Sequence, residues 1–194
     1  NEYEIFEAID KDSQEVSDIM KTKFIKKFPP CFRCNKNKCS CSNNILIKHQ
    51  IGNWCSFINI MKDIIKNDYQ NLIMICEDDI KFTKNGMNIL NQMINLNNFK
   101  KYKITLDAPI LIRVGCGYNN QHKLKTSPRL INRVMMSNPA FIINTEYAKT
   151  FIKNLKQIDT TSDVYIHLQL MKIDTSIQAY SVTPVPIYEL SCGK

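Results

Sequence analysis

The residues Leu72–Cys76 form an uninterrupted apolar run, and the carboxylates of Glu77, Asp78 and Asp79 follow it directly. Such a run is typical of a strand buried in a sheet, and ligands of open α/β sheets bind at the carboxyl ends of strands. Three like charges there are unfavourable unless a cation neutralises them. Because side chains alternate in an extended backbone, Glu77 and Asp79 are predicted to share a face and bind Mg²⁺ or Mn²⁺. The alternative is a solvated acidic strand end.

Size and composition indicate an ordinary globular chain. With 194 residues, 44% hydrophobic and 23% charged, residues 1–194 are predicted to form a single domain. The net charge of +8 permits nucleic acid or a phosphate-bearing ligand, but the lysines are spread along the chain. The sequence has no apolar run of about 18 residues and no recognisable signal peptide, so we expect a cytoplasmic protein without a membrane span.

A cysteine cluster stands out from this composition. Four of the eight cysteines, Cys31, Cys34, Cys39 and Cys41, fall in a polar segment over 31–44 that follows two prolines. Four closely spaced thiolates are typical of a tetrahedral Zn²⁺ site, which would stabilise the loop and leave no position open for substrate. Disulfides and free thiols are the alternatives, and a reducing compartment disfavours disulfides.

The remaining pattern alternates between predicted strands and helices. Strands are predicted over 3–8, 72–76, 110–114, 140–143 and 177–182, and helices over 13–28, 51–67, 86–96, 145–155 and 162–171. This order indicates an α/β fold, an open sheet flanked by helices. Residues 118–133 are predicted to be a mobile basic loop that could close over a diphosphate. Trp54 lies on an apolar helix face and is interpreted as a core residue.

Several segments in this order resemble glycosyltransferase family 25, which includes bacterial lipooligosaccharide galactosyltransferases and procollagen galactosyltransferases. The likeness rests on residues 5–10, Ile51-Gly52 with Cys55-Ser56, residues 75–80, residues 138–144 with Ala148-Lys149, and Ser162-Asp163. Phe57 stands where the family has a histidine, and the cysteine loop is an addition, so the chain looks like a divergent member. The family's first strand would precede residue 1.

The resemblance implies a GT-A-like open mixed sheet and a metal-dependent transfer of a sugar, with galactose as a candidate, from a UDP-sugar to a glycan or protein hydroxyl. Glu77 and Asp79 would hold the Mn²⁺ or Mg²⁺, and Asp78 would contact the donor. Asp163 is the candidate base that takes the proton of the acceptor hydroxyl. A helix-capping role is the alternative for Asp163. His167 lies four residues further on and could complete a metal site, or could be an ordinary core or surface residue.

Three other functions stay open at this point. The same carboxylates would suit a nucleotidyl- or phosphotransferase. A zinc-stapled module that binds nucleic acid would use the positive charge, but the sequence lacks the interleaved aromatic residues that stack on bases. An inactive glycosyltransferase-like protein is the remaining alternative, because Phe57 replaces the family's histidine and the family's first strand would precede residue 1.

Overall fold

A computed structural model describes residues 3–25, 47–117, 126–133 and 139–190 of the chain. The helices are α1 (Gln14–Lys21), α2 (Ile47–Asn67), α3 (Gly86–Met93), α4 (Leu96–Tyr102), α5 (Thr145–Asn154), α6 (Ser162–Val164), a π-helical turn (Tyr165–Gln169) and α7 (Leu170–Ile173). The strands are β1 (Ile73–Cys76), β2 (Ile80–Phe82), β3 (Ile110–Arg113), β4 (Gly115–Cys116), β5 (Arg129–Ile131), β6 (Ala140–Ile143), β7 (Gln178–Thr183) and β8 (Ile187–Glu189).

The larger sheet has five strands in the order β1-β6-β3-β7-β5. Strands β1 and β3 both run antiparallel to β6, and β3 runs parallel to β7, so β1, β3 and β7 point the same way. The expected sheet flanked by helices is therefore confirmed, and the sheet is mixed. The carboxyl ends of its three parallel strands meet at one edge, where ligands bind in open α/β sheets.

A second sheet, with the order β2-β8-β4, continues from that edge. Each of its strands follows a parallel strand of the larger sheet: β2 follows β1, β4 follows β3, and β8 follows β7. The acidic triplet Glu77–Asp79 is the link between β1 and β2, so it lies at the junction of the two sheets.

Apolar side chains cover both faces of the central strands β3 and β6 because the strand alternation divides them between two cores. Strand β1, expected to be buried, is an edge strand, and Met74 and Cys76 on one of its faces are exposed. Leu111 on β3 joins a core built largely from α2, α5 and the 162–173 segment. Ile110 and Ile112 join the opposite core, which includes residues of α3 and α4. Trp54 is fully buried in the first core, where its Nε1 donates a hydrogen bond to the Thr160 carbonyl at 2.8 Å, so the core interpretation of Trp54 is confirmed.

Glycine and serine near the start of α2 hold the N-terminal segment against this helix. A Cβ on Gly52 would lie 2.7 Å from the Ile9 carbonyl oxygen, too close for any larger residue without a backbone shift. Ser56 Oγ accepts a hydrogen bond from the Ile9 amide at 2.8 Å and donates one to the Gly52 carbonyl at 3.0 Å. These two positions of the resemblance therefore have a structural role.

Local signals placed most helix starts correctly. Ser13 caps α1 by accepting a hydrogen bond from the Val16 amide, as expected, and Asn144 caps α5 in the same way through the Tyr147 amide. The helix predicted over 86–96 ends at Met93. A second helix, α4, begins at Leu96, where the Asn95 side chain caps it by accepting a hydrogen bond from the Asn98 amide. The helix predicted over 13–28 ends at Lys21, where Thr22 takes an extended conformation.

Other predictions depended on long-range pairing and were wrong. Residues 3–8 form no strand, because the described part of the chain offers them no pairing partner. Within the segment expected to be a mobile loop, Arg129–Ile131 form β5, which pairs with β7.

The cysteine loop with its predicted zinc site lies outside the described residues. No described helix has both the length and the apolar character needed to span a bilayer.

Candidate active site

Backbone hydrogen bonds fix the acidic link between the two sheets. The Glu77 amide donates to the Pro139 carbonyl at 2.8 Å, and the Leu190 amide donates to the Asp79 carbonyl at 2.7 Å. Asp78 and Asp79 lie in a turn rather than in extended backbone. The alternation argument for Glu77 and Asp79 therefore does not apply, and any shared ligand geometry must come from the turn.

Two further carboxylates approach this link from distant parts of the chain. Glu189 lies on β8 opposite Ile80, the residue after Asp79. Asp163 lies in the short helix α6, which the hydrogen bond between Ser162 Oγ and Asn53 Oδ1 ties to α2. Sequence reasoning identified Asp163 but missed Glu189, whose proximity depends on the β2–β8 register.

The convergence of these carboxylates perturbs the protonation of Glu77. Desolvation of its carboxyl group is the largest cause, followed by repulsion from Asp163 and Glu189 and then from Asp79 and Asp78, and together they raise the pKa of Glu77 to about 7. Burial, with repulsion from Glu189, also raises the pKa of Asp163. Carboxyl groups that converge in this way and have perturbed pKa values mark a candidate functional site.

The carboxylates have the right ligand atoms for a cation, but they do not form a complete coordination sphere. Their oxygen atoms are the ligands preferred by Mg²⁺ and Mn²⁺. Among the described residues, no group of three or more His, Cys, Asp or Glu side chains is arranged to hold a metal ion. A cation at this site would therefore need ligands from a bound donor, from water or from small side-chain movements.

The structure places His167 in the core, so the hypothesis that it completes a metal site is wrong. Its side chain is only 1% exposed and meets the edge of the Phe141 ring, with centroids 5.3 Å apart. Burial, together with the nearby Arg113 charge, lowers the pKa of His167 to about 3. The neutral imidazole is therefore buried in the core beside the Phe141 ring and near the Arg113 charge, whereas Asp78 of the acidic turn is exposed.

Arg113 is a buried residue that the sequence prediction treated only as part of a strand. It is 1% exposed, and its Nη2 donates to the His167 carbonyl at 2.9 Å. Burial lowers the pKa of Arg113 to about 10, so the guanidinium stays charged at neutral pH. An arginine inside the apolar run Ile110–Val114 was the signal in the sequence that could have identified it.

Comparison with known proteins now assigns the class. A family model described as glycosyltransferase family 25 (LPS biosynthesis protein) matches residues 1–166, a range that includes Glu77 and Asp163. The chain is therefore a glycosyltransferase. It belongs to glycosyltransferase family 25, as the sequence resemblance indicated. No curated protein matches the chain.

The raised pKa of Glu77 predicts a pH-dependent stability. Between its ordinary value of 4.5 and about 7, the folded state binds more protons than the unfolded state, so the free energy of unfolding falls as the pH rises. Glu77→Gln removes this loss. If the Glu77 carboxyl group were fully desolvated, the variant would gain about 3 kcal/mol in the free energy of unfolding at pH 8. Because the side chain is partly exposed to solvent, we expect a gain of about 1 kcal/mol.

Urea unfolding at pH 5 and pH 8 measures this effect. The difference between the variant and the wild type should be much smaller at pH 5, where Glu77 is neutral in the folded state and only a small part of the loss has developed. Asp107→Asn, which removes an exposed carboxylate that precedes β3, is the matched control and should show no comparable gain. Equal stabilities of Glu77→Gln and wild type at pH 8 would contradict the prediction.

Proposed function

We propose that this chain transfers a sugar, with galactose as the candidate, from a UDP-sugar to a hydroxyl group of a glycan or protein, and that it needs Mn²⁺ or Mg²⁺. The proposal includes a GT-A-like arrangement of the sheet. The observation that supports it most is the convergence of Glu77, Asp163 and Glu189, from three distant segments, on one sheet edge. These carboxylates would hold a divalent cation, and the cation would stabilise the anionic diphosphate that leaves from a UDP-sugar.

Glu77 and Asp79 are the proposed ligands of the cation. When bound, the ion would act as a Lewis acid on the leaving diphosphate. Glu77 would give up its extra proton on binding, so cation affinity should rise with pH through about 7. Asp78 is exposed at the tip of the same turn and is the proposed contact to the donor.

Asp163 is the proposed base. Its carboxyl group faces the charge of Glu189 in a partly desolvated environment, which raises its pKa above the ordinary aspartate value. A higher pKa makes a carboxylate a stronger acceptor for the proton of the attacking hydroxyl. Its place in α6 brings it next to Glu77, and therefore next to the proposed cation and leaving group.

Calorimetric titration of UDP, with and without Mn²⁺, tests the donor site. We expect binding that depends on Mn²⁺ and that Asp79→Ala weakens at least about tenfold, because a hard cation loses one anionic ligand. The Asp79 carbonyl that accepts from Leu190 is retained in alanine, so the turn should persist.

Asp107→Asn serves as the control for this titration and should bind UDP as the wild type does. UDP binding that ignores both Mn²⁺ and Asp79 would overturn the proposed metal site. Turnover of other nucleotides without turnover of UDP-sugars would favour the nucleotidyl- or phosphotransferase alternative.

The role of Asp163 is tested by Asp163→Asn. We expect kcat for sugar transfer to fall about 10²- to 10⁴-fold, the range of a lost general base, with UDP affinity nearly unchanged. The rate of the wild type should rise with pH through the raised pKa of Asp163, and the variant should lose that limb. A variant that keeps both its rate and its pH profile would exclude Asp163 as the base.

We also propose that Cys31, Cys34, Cys39 and Cys41 bind one structural Zn²⁺, which the spacing of these residues supports. Elemental analysis of the purified chain should find about one zinc ion per chain. Cys34→Ser should lose the metal, whereas Cys76→Ser, outside the cluster, should keep it. Zinc-free wild-type protein with titratable thiols would disprove the site.

A further inference from the structure

The helical segment that carries Asp163 contains a π-helical turn, Tyr165–Gln169, directly after α6. The Leu170 amide donates to the Tyr165 carbonyl, five residues back, which is the hydrogen bond that defines such a turn. Such π turns within helices are rare, and they occur often at functional sites. Side chains from outside the helix contact this turn.

Two side chains from other elements hydrogen-bond to consecutive carbonyls of the turn. Tyr147 Oη, on α5, donates to the Ile166 carbonyl at 2.9 Å. Arg113 Nη2, on β3, donates to the His167 carbonyl at 2.9 Å. Both donors are almost fully buried, at 0% and 1% exposure, so water cannot easily replace them. Loss of either would leave a buried carbonyl without that partner.

Arg113 directs its hydrogen bonds to one helical segment, because its Nη2 also donates to Met171 Sδ at 3.4 Å. It forms no ion pair with any carboxylate of the described residues, and its Nε has no hydrogen-bond partner there. A buried guanidinium without a counter-ion costs free energy. The hydrogen bonds to His167 and Met171 offset part of this cost and tie β3 to the segment that carries Asp163.

We propose that Arg113 and Tyr147 are positioning residues that fix the π turn, and through it hold the carboxylate of Asp163 beside Glu77. The inference rests on the proposed function in that Asp163 is the base. Neither side chain is proposed to touch substrate. Their effect on the reaction passes through the backbone of residues 162–167.

The pair Tyr147→Phe and Tyr165→Phe gives a matched test. Both changes remove one hydroxyl group from a buried tyrosine in the same core, but the Tyr165 hydroxyl has no hydrogen-bond partner in the described structure. For Tyr147→Phe we expect kcat to fall at least about tenfold with KM for the UDP-sugar within about twofold, because a small displacement of a base is costly. Tyr165→Phe should keep both parameters within about twofold.

Arg113→Lys and Arg113→Met provide the second comparison, and they decide the question if Tyr147→Phe does not fold. Lysine retains a charged donor that can reach the His167 carbonyl, whereas methionine fills similar space without a donor. We expect Arg113→Lys to recover most of the kcat that Arg113→Met loses. Equal kcat values for the two variants would show that Arg113 only fills space and would overturn its positioning role.

Hydrogen exchange of the amides in 162–173 separates this inference from the proposed function. Tyr147→Phe should speed exchange in this segment at least about tenfold relative to Tyr165→Phe, whether or not the protein transfers sugar. Faster exchange in a protein without transferase activity would support the fixed turn and disprove the proposed reaction. Identical exchange and identical kcat in the two tyrosine variants would overturn the inference.

Discussion

The hydrogen bonds at the link between β1 and β2 fix the acidic turn, around which the rest of the candidate site is arranged. The Glu77 amide is held by Pro139, and the Asp79 carbonyl is held by Leu190, so both ends of the acidic turn are attached to neighbouring strands. Since Leu190 directly follows β8, the same bonds bring Glu189 to the turn. The carboxylates could not stay together through their own interactions, because they repel one another. The two sheets supply the restraint.

This arrangement stores an electrostatic cost at the edge of the sheet. Glu77 is partly protonated near neutral pH as a result, and Arg113 is buried without a counter-ion among the described residues. Functional sites commonly keep such unfavourable groups at the expense of stability. A divalent cation bound by these carboxylates would remove the first cost. The second is consistent with a role for Arg113 in fixing the backbone that carries Asp163.

The departures from the family pattern are accommodated by the core. Phe57, in place of the family's histidine, packs against Phe141 with ring centroids 6.0 Å apart, and Phe141 in turn meets His167. An aromatic ring at this position therefore contributes apolar contact rather than a polar group. The matched range ends at residue 166, so Glu189 and β8 lie outside the matched residues.

The sequence by itself determined the features that depend on near neighbours. Periodicity placed α2, β1, β3 and β6, and capping residues such as Ser13 marked helix starts, because these signals act within a few residues. The acidic triplet identified the site, and its resemblance identified the family. Only the tertiary structure decided that Asp78 and Asp79 lie in a turn, that Glu189 joins the site and that His167 is buried. Those facts depend on the β2–β8 pairing and on the packing of residues 162–173 against the sheet, which join segments far apart in the chain.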